Sequence, residues 1–249
     1  MINSNFRRVL APLGGIILLA LVSACGGTAV PSADVPDPLE GINRNVHAFN
    51  KGLDRAVLKP TSEVYVAVVP QPVRGGVSNG VSNLSEPMSV VNYTLQGDIE
   101  GAVRSFMRFG MYTGFGLGGL LEPASDAGLF EDPTDFGETM AVWGVNSGPY
   151  VELPIFGPST TRDAFGLGVD IVADPVPQVL TSEANAYLIG AQVADVLQAR
   201  NDFARVIEAL FYESADSYAA TRIAYLQNRA RDLNQGLALE DLEDPYAFE

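Results

Sequence analysis

Apolar residues recur at helical spacing along most of the chain, and glycines and prolines interrupt them at short intervals. The first run is different. Behind Arg7 and Arg8, Val9 to Val22 is mostly apolar but contains Pro12, Gly14 and Gly15, and it is shorter than the roughly 20 residues that span a bilayer. A basic start, a short apolar run and small residues ending at Ser23-Ala24-Cys25 read as an export signal over residues 1–24. Residues 25–36 are small and aperiodic, as a tether is.

The periodic region then begins. Asp37-Pro38-Leu39-Glu40 has the form of a capping box with Pro at the first helical position. Ile42, Val46, Phe49, Leu53 and Val57 make one face of the helix that follows, and Asn43, His47, Asn50 and Asp54 another, with an end expected before Lys59-Pro60. Val73, Val77, Val81 and Leu84 form the next face, and Met88, Val91 and Leu95 one that stops at Gly97. Asp98 is placed to cap a helix carrying Val103, Phe106 and Met107 inward and Arg104 and Arg108 on one side. Phe109 to Leu121 has no charge and five glycines, which suits a lipid interface or a buried hairpin better than a stable helix. A short helix is expected over Asp135 to Trp143, a short strand over Tyr150 to Leu153, and helices over Thr160 to Ala173, Ser182 to Gln198 and Asp202 to Asn234, the last broken near Ser214. The tail 235–249 is acidic. With no strand alternation sustained enough for a sheet, the expected class is mainly α with at most a short β-hairpin.

Charge and composition narrow the function classes. Of 249 residues, 30 are Asp or Glu and 15 Lys or Arg, a formal charge of −15 that becomes −17 when Arg7 and Arg8 leave with the signal. A field of that sign repels polyanions, so no nucleic-acid partner is expected. The 25 Gly and 16 Pro are spread along the chain and imply repeated turning. One Cys excludes an intrachain disulfide, and one His leaves little material for acid–base catalysis or for a transition-metal site. No cofactor or metal is expected.

Three motifs offer chemistry, and each lacks its context. Gly76-Val77-Ser78-Asn79-Gly80 matches the nucleophile elbow of esterases, but prolines precede it and the only His is upstream at 47. Gly114 to Gly119 contains G-x-G-x-x-G, but a helical pattern leads in where a dinucleotide site needs a strand. Glu131, Asp132, Asp135 and Glu138 lack the spacing and glycine of a calcium loop and read as a solvated helix start. His47, among Asn43, Asn50 and Asp54, reads as a hydrogen-bonded structural residue.

Several segments together carry a resemblance. Cys25 ends its apolar run as the acylated Cys of a bacterial lipobox does, and Gly26 after it favours the outer membrane over the inner. Asp37-Pro38 with Asn43 and Asn50, Pro70-Gln71-Pro72, Asn83 with Pro87, Asn92-Tyr93 and Gly97-Asp98 follow in order. Gly116, Gly118 and Gly119, then Gly144 and Gly148-Pro149-Tyr150, complete a pattern that resembles the MlaA (VacJ) lipoproteins of the Gram-negative outer membrane. Two departures stand out: Ser217 replaces an expected Pro, and the acidic tail has no counterpart.

The resemblance implies a ring of short amphipathic helices lying in one leaflet around a central channel, formed by residues 37–234. It implies an outer-membrane protein, lipid-anchored at Cys25 on the periplasmic side, that takes phospholipids misplaced in the outer leaflet and passes them to a soluble periplasmic lipid carrier beside a trimeric porin, without catalysis. On that reading Gly116, Gly118, Gly119, Gly144, Gly148, Pro149 and Tyr150 form the pore or rim loops, for which lack of charge and abundance of glycine fit close approach and hinge-like movement. Two alternatives remain: a porin-associated structural lipoprotein with no transport role, and a membrane-bound esterase using Ser78.

Overall fold

The computed structural model describes residues 35–116 and 128–234. The export signal, Cys25, Gly118, Gly119 and the tail 235–249 lie outside the described residues. Helix α1 (Glu40–Leu53) runs through a wider π-type turn (Asp54–Leu58) into α2 (Lys59–Val68). The long α3 (Gln71–Gln96) and α4 (Ile99–Gly114) form a helical hairpin. After α5 (Phe136–Val142), strands β1 (Tyr150–Leu153) and β2 (Gly157–Thr160) pair antiparallel, Tyr150 opposite Thr160 and Leu153 opposite Gly157. Helices α6 (Thr161–Ala173), α7 (Pro175–Val179), α8 (Ser182–Asp202) and α9 (Ala204–Glu208), a second π-type turn (Ala209–Glu213) and α10 (Ser217–Asn234) follow. The class is mainly α with one short hairpin.

Boundaries follow local chemistry. Gly97 takes φ +79°, which lets α3 end sharply. Asp98 accepts from Gly101 N at 3.0 Å to start α4, Asp135 accepts from Glu138 N at 2.8 Å to start α5, and Thr160 accepts from Asp163 N at 3.2 Å to start α6. Helix α5 crosses α6 where Gly137 meets Gly166: a Cβ on Gly166 would lie 2.4 Å from Gly137 N.

Several expectations fail at this level. Asp37 does not cap α1, because its carboxylate accepts from Asn43 Nδ2 at 2.9 Å and from the Tyr218 hydroxyl. The helix does not stop before Lys59-Pro60: the π-type turn absorbs the break, and Pro60 sits in the first turn of α2, where no amide partner is needed. The two faces either side of Ser85 belong to one helix, with Pro87 in its interior. Phe109 to Gly114 is helical despite its glycines, since α4 is held by tertiary contact with α3 rather than by propensity.

The side of each amphipathic helix that faces inward is the main surprise. On α1 the polar face is buried, with Asn43 2% and His47 3% exposed, while Ile42 is 61% and Phe49 54% exposed. On α4, Val103, Phe106 and Met107 point outward, and Gly101, Ser105 and Arg108 point inward, Arg108 paired with the buried Glu86. Among the described residues, eighteen buried polar or charged side chains stand against eleven buried apolar ones. The small apolar core joins Tyr150, Tyr218, Leu226 and Val35, with Tyr150 and Tyr218 edge to face at 5.9 Å.

Candidate functional site

The polar interior is a frame built from paired side chains. Asn43 and Asn50, seven residues apart on α1, act as backbone mimics along the free edge of β1. Asn43 Nδ2 donates to Tyr150 O at 3.2 Å and Asn43 Oδ1 accepts from Glu152 N at 3.0 Å. Asn50 Nδ2 donates to Leu153 O at 2.9 Å and Asn50 Oδ1 accepts from Ile155 N at 2.8 Å. The second pair holds the hairpin tip, where the β-branched Ile155 takes φ +73°. His47 lies between them, 3.3 Å from Glu152 Oε1 and 3.1 Å from Ser217 Oγ, a structural residue as its surroundings in sequence suggested.

A second frame surrounds Asn92, which is fully buried. Asn92 Nδ2 donates to Asp170 Oδ1 at 3.0 Å and Oδ1 accepts from Thr139 Oγ1 at 3.1 Å, tying α3 to α5 and α6. Tyr93 donates to Asp132 O at 2.8 Å, and Asn83 Nδ2 to Thr113 Oγ1 at 3.2 Å. Pro70, Gln71 and Pro72 open α3. The residues that carry the sequence pattern are therefore mostly the joints of the frame.

Arg229 of α10 gathers the acidic start of α5. It donates to Asp135 at 2.7 and 2.8 Å, to Glu138 at 2.9 Å and to Asp163 of α6 at 3.0 Å. Burial pushes Glu138 up, whereas for Asp163 the opposing effect of burial is outweighed by Arg229 and Arg162, which hold it below the usual carboxylate range. Beside this cluster is a polar cavity of about 610 Å³ lined by Tyr93, Gln96, Arg104, Asp132, Thr134 and Arg229 among others. Asp132, Asp135 and Glu138 of its lining are engaged with arginines, and among the described residues no group of three or more potential ligands is placed to hold a metal ion. Asp135 does cap the start of α5 as a helix-start acid, but Asp132, Asp135 and Glu138 are also half-buried partners of arginines rather than simply solvated, and of the four acids only Glu131 is exposed.

The rim candidates separate. Gly144 takes φ +84° and Gly148 φ +66°, the backbone region that favours glycine, and Pro149 O accepts both Thr161 N at 2.9 Å and Thr161 Oγ1 at 3.0 Å. Gly116 is buried after α4. Tyr150 is completely buried at the core and serves as the anchor of its segment, not as a lining residue. Ser78 is in the middle of α3, so the strand and sharp turn of a nucleophile elbow are not formed there.

The exterior is the second half of the site. Among the described residues, twenty-five large apolar side chains are more than half exposed, on every long helix and at the hairpin tip. Leaving each in water forgoes about 1 kcal/mol, roughly 25 kcal/mol in all, against a total stability on the order of 5–15 kcal/mol for a folded protein. Single exposed apolar residues are ordinary, but a polar interior with an apolar exterior is the arrangement for an apolar solvent. No helix of the described residues is long and apolar enough to cross a membrane. Sequence reasoning missed this inversion, and the signal that could have revealed it was the concentration of Asn43, His47 and Asn50 on one face of α1 and of Ser105 and Arg108 on one face of α4.

Comparison with known proteins agrees. A family model described as MlaA lipoprotein matches residues 35–232. The intermembrane phospholipid transport system lipoprotein MlaA of Escherichia coli K12 is 34% identical over 91% of this chain and 90% of its own length. That of Haemophilus influenzae is 32% identical over 91% and 94% respectively. A solved structure reported as the structural basis for maintenance of bacterial outer membrane lipid asymmetry superposes with TM-score 0.68 at 37% identity, covering 80% of this chain and 99% of that one.

Proposed function

The chain belongs to the MlaA lipoprotein family, and from that premise we propose that it moves misplaced phospholipids out of the outer leaflet of the outer membrane and so maintains lipid asymmetry. The observation that carries the reading is the pairing of a hydrogen-bonded polar interior with an apolar exterior. Helices of that kind lie in a leaflet with their apolar faces in acyl chains, and without crossing it. A transported lipid needs both surfaces, because exposing even a few methylenes to water, or a charged headgroup to hydrocarbon, costs several kcal/mol.

On this reading Cys25 carries acyl chains that hold the protein to the periplasmic side of the membrane. The helices of 37–234 surround a channel, and Gly144, Gly148 and Pro149, with Gly116, Gly118 and Gly119, form its rim. A soluble periplasmic lipid carrier receives the lipid, a trimeric porin is the neighbour in the membrane, and no covalent chemistry takes place. The buried ion pairs keep the frame stiff while the lipid passes.

Outer-leaflet phospholipid, measured in a deletion strain and after complementation, tests this. Transport requires a rise on deletion and full rescue by both the wild type and Ser78→Ala. An unchanged level would support a structural lipoprotein instead. Rescue lost with Ser78→Ala, together with fatty-acid release by the pure protein, would support an esterase.

A further inference from the structure

Most cations of this acidic chain are committed to carboxylates, yet three converge on a single ring. Lys51 Nζ lies 5.5 Å, the Arg55 guanidinium 5.1 Å and Lys59 Nζ 5.6 Å from the centroid of Tyr212. Both lysines of the sequence are in this group. The place is built by the fold's two irregular turns: Arg55 belongs to the π-type turn after α1, and Tyr212 to the one after α9. Tyr212 is fixed there, its hydroxyl donating at 2.8 Å to the buried Asp54, which also accepts from Nε and Nη2 of Arg200, each at 3.0 Å.

Neutralisation does not account for the group. Asp54 is satisfied by Arg200, and Glu208 by Lys59 at 2.9 Å and Arg200 at 3.1 Å. Lys51 donates to Ser217 Oγ at 3.3 Å and the Arg55 guanidinium stacks over the Tyr212 ring; among the described residues neither has a carboxylate within ion-pair distance. Four cations face two carboxylates in a chain whose net charge is −15. Gathering like charges costs free energy unless an anion joins them, and an ammonium beside a guanidinium is a donor set suited to phosphate.

We propose that Lys51 and Arg55, set on the Tyr212 ring, bind the phosphate of a phospholipid headgroup, with Lys59 adding to the field. This rests on the lipid-transport reading above. A lipid rather than a free anion is the expected occupant because exposed apolar residues flank the cluster in sequence: Phe49 and Val57 on one side, Phe203 and Val206 on the other.

The test is calorimetric titration of the full-length protein in detergent with dihexanoyl phosphatidylglycerol, alongside inorganic phosphate. Lys51→Gln/Arg55→Gln is expected to weaken lipid binding at least tenfold and Lys51→Arg by less than threefold, both with wild-type circular dichroism and melting. Equal binding by the double variant and wild type would overturn the site while leaving lipid transport standing. Inorganic phosphate competing at concentrations equal to the lipid would overturn the headgroup assignment. A wild-type chain that takes up no lipid would remove the transport reading itself.

Discussion

Replacing Arg229 by Met tests whether the polar interior holds this protein together. The guanidinium is 12% exposed and bonds three carboxylates from two elements, Asp135 and Glu138 at the start of α5 and Asp163 in α6. Removing one partner of a buried ion pair costs about 3–5 kcal/mol, because the charges left behind have lost both water and partner. Asp135 is 44% exposed and rehydrates, and Asp163 keeps Arg162 at 2.9 Å, so the lower end, about 3 kcal/mol, is expected. For a domain of this size that is roughly 6–12 °C in melting temperature, followed by circular dichroism in detergent. The deficit depends on pH. In the wild type Asp163 has a folded pKa below its unfolded one and contributes stability that is lost as pH falls through the folded value. Without Arg229 it loses that source of depression, and Glu138, already raised by burial, rises further, so the folded variant binds protons more tightly than the unfolded chain and regains stability as pH falls from 7 toward 4.5. A loss below about 1 kcal/mol, or a deficit that is the same at both pH values, would refute the reasoning.

Three further perturbations read other parts of the structure. Gly166→Ala drives a methyl to 2.4 Å from Gly137 N, a backbone atom that cannot swing away, and should cost about 1–3 kcal/mol in the same melt. Gly137→Ala meets the side-chain ends of Asp163, Arg229 and Asp135 rather than backbone and should cost less. Asn50→Ala unpairs Ile155 N and Leu153 O, a loss of about 1–3 kcal/mol with faster amide exchange at Ile155 as its local signature. Phe106→Asp removes an outward apolar contact from α4; it should leave the melt in detergent unchanged and reduce flotation of the protein with liposomes.

Helix positions were largely legible in the sequence, and helix orientation was not. The period that groups Ile42, Val46 and Phe49 against Asn43, His47 and Asn50 is real on α1, but period alone does not say which face is solvated, and the usual assumption of water outside puts the wrong face inward. Caps at Asp98, Asp135 and Thr160 are local and were readable from spacing or element limits; Asp37 was misread because its partner Tyr218 is 181 residues away. The π-type turns had no signal, since nothing local marks Asp54 or Ala209 for an extra residue per turn. The Tyr212 cluster was likewise invisible, because it joins residues from opposite ends of the chain.

The inverted arrangement is tested most directly by photocrosslinking in the native outer membrane, with a benzophenone side chain placed in turn at Phe49, Phe106, Phe165 and Tyr187, all more than half exposed. Phospholipid adducts at these positions are the predicted result. Adducts to protein alone, or no adducts with the label facing water, would contradict the account.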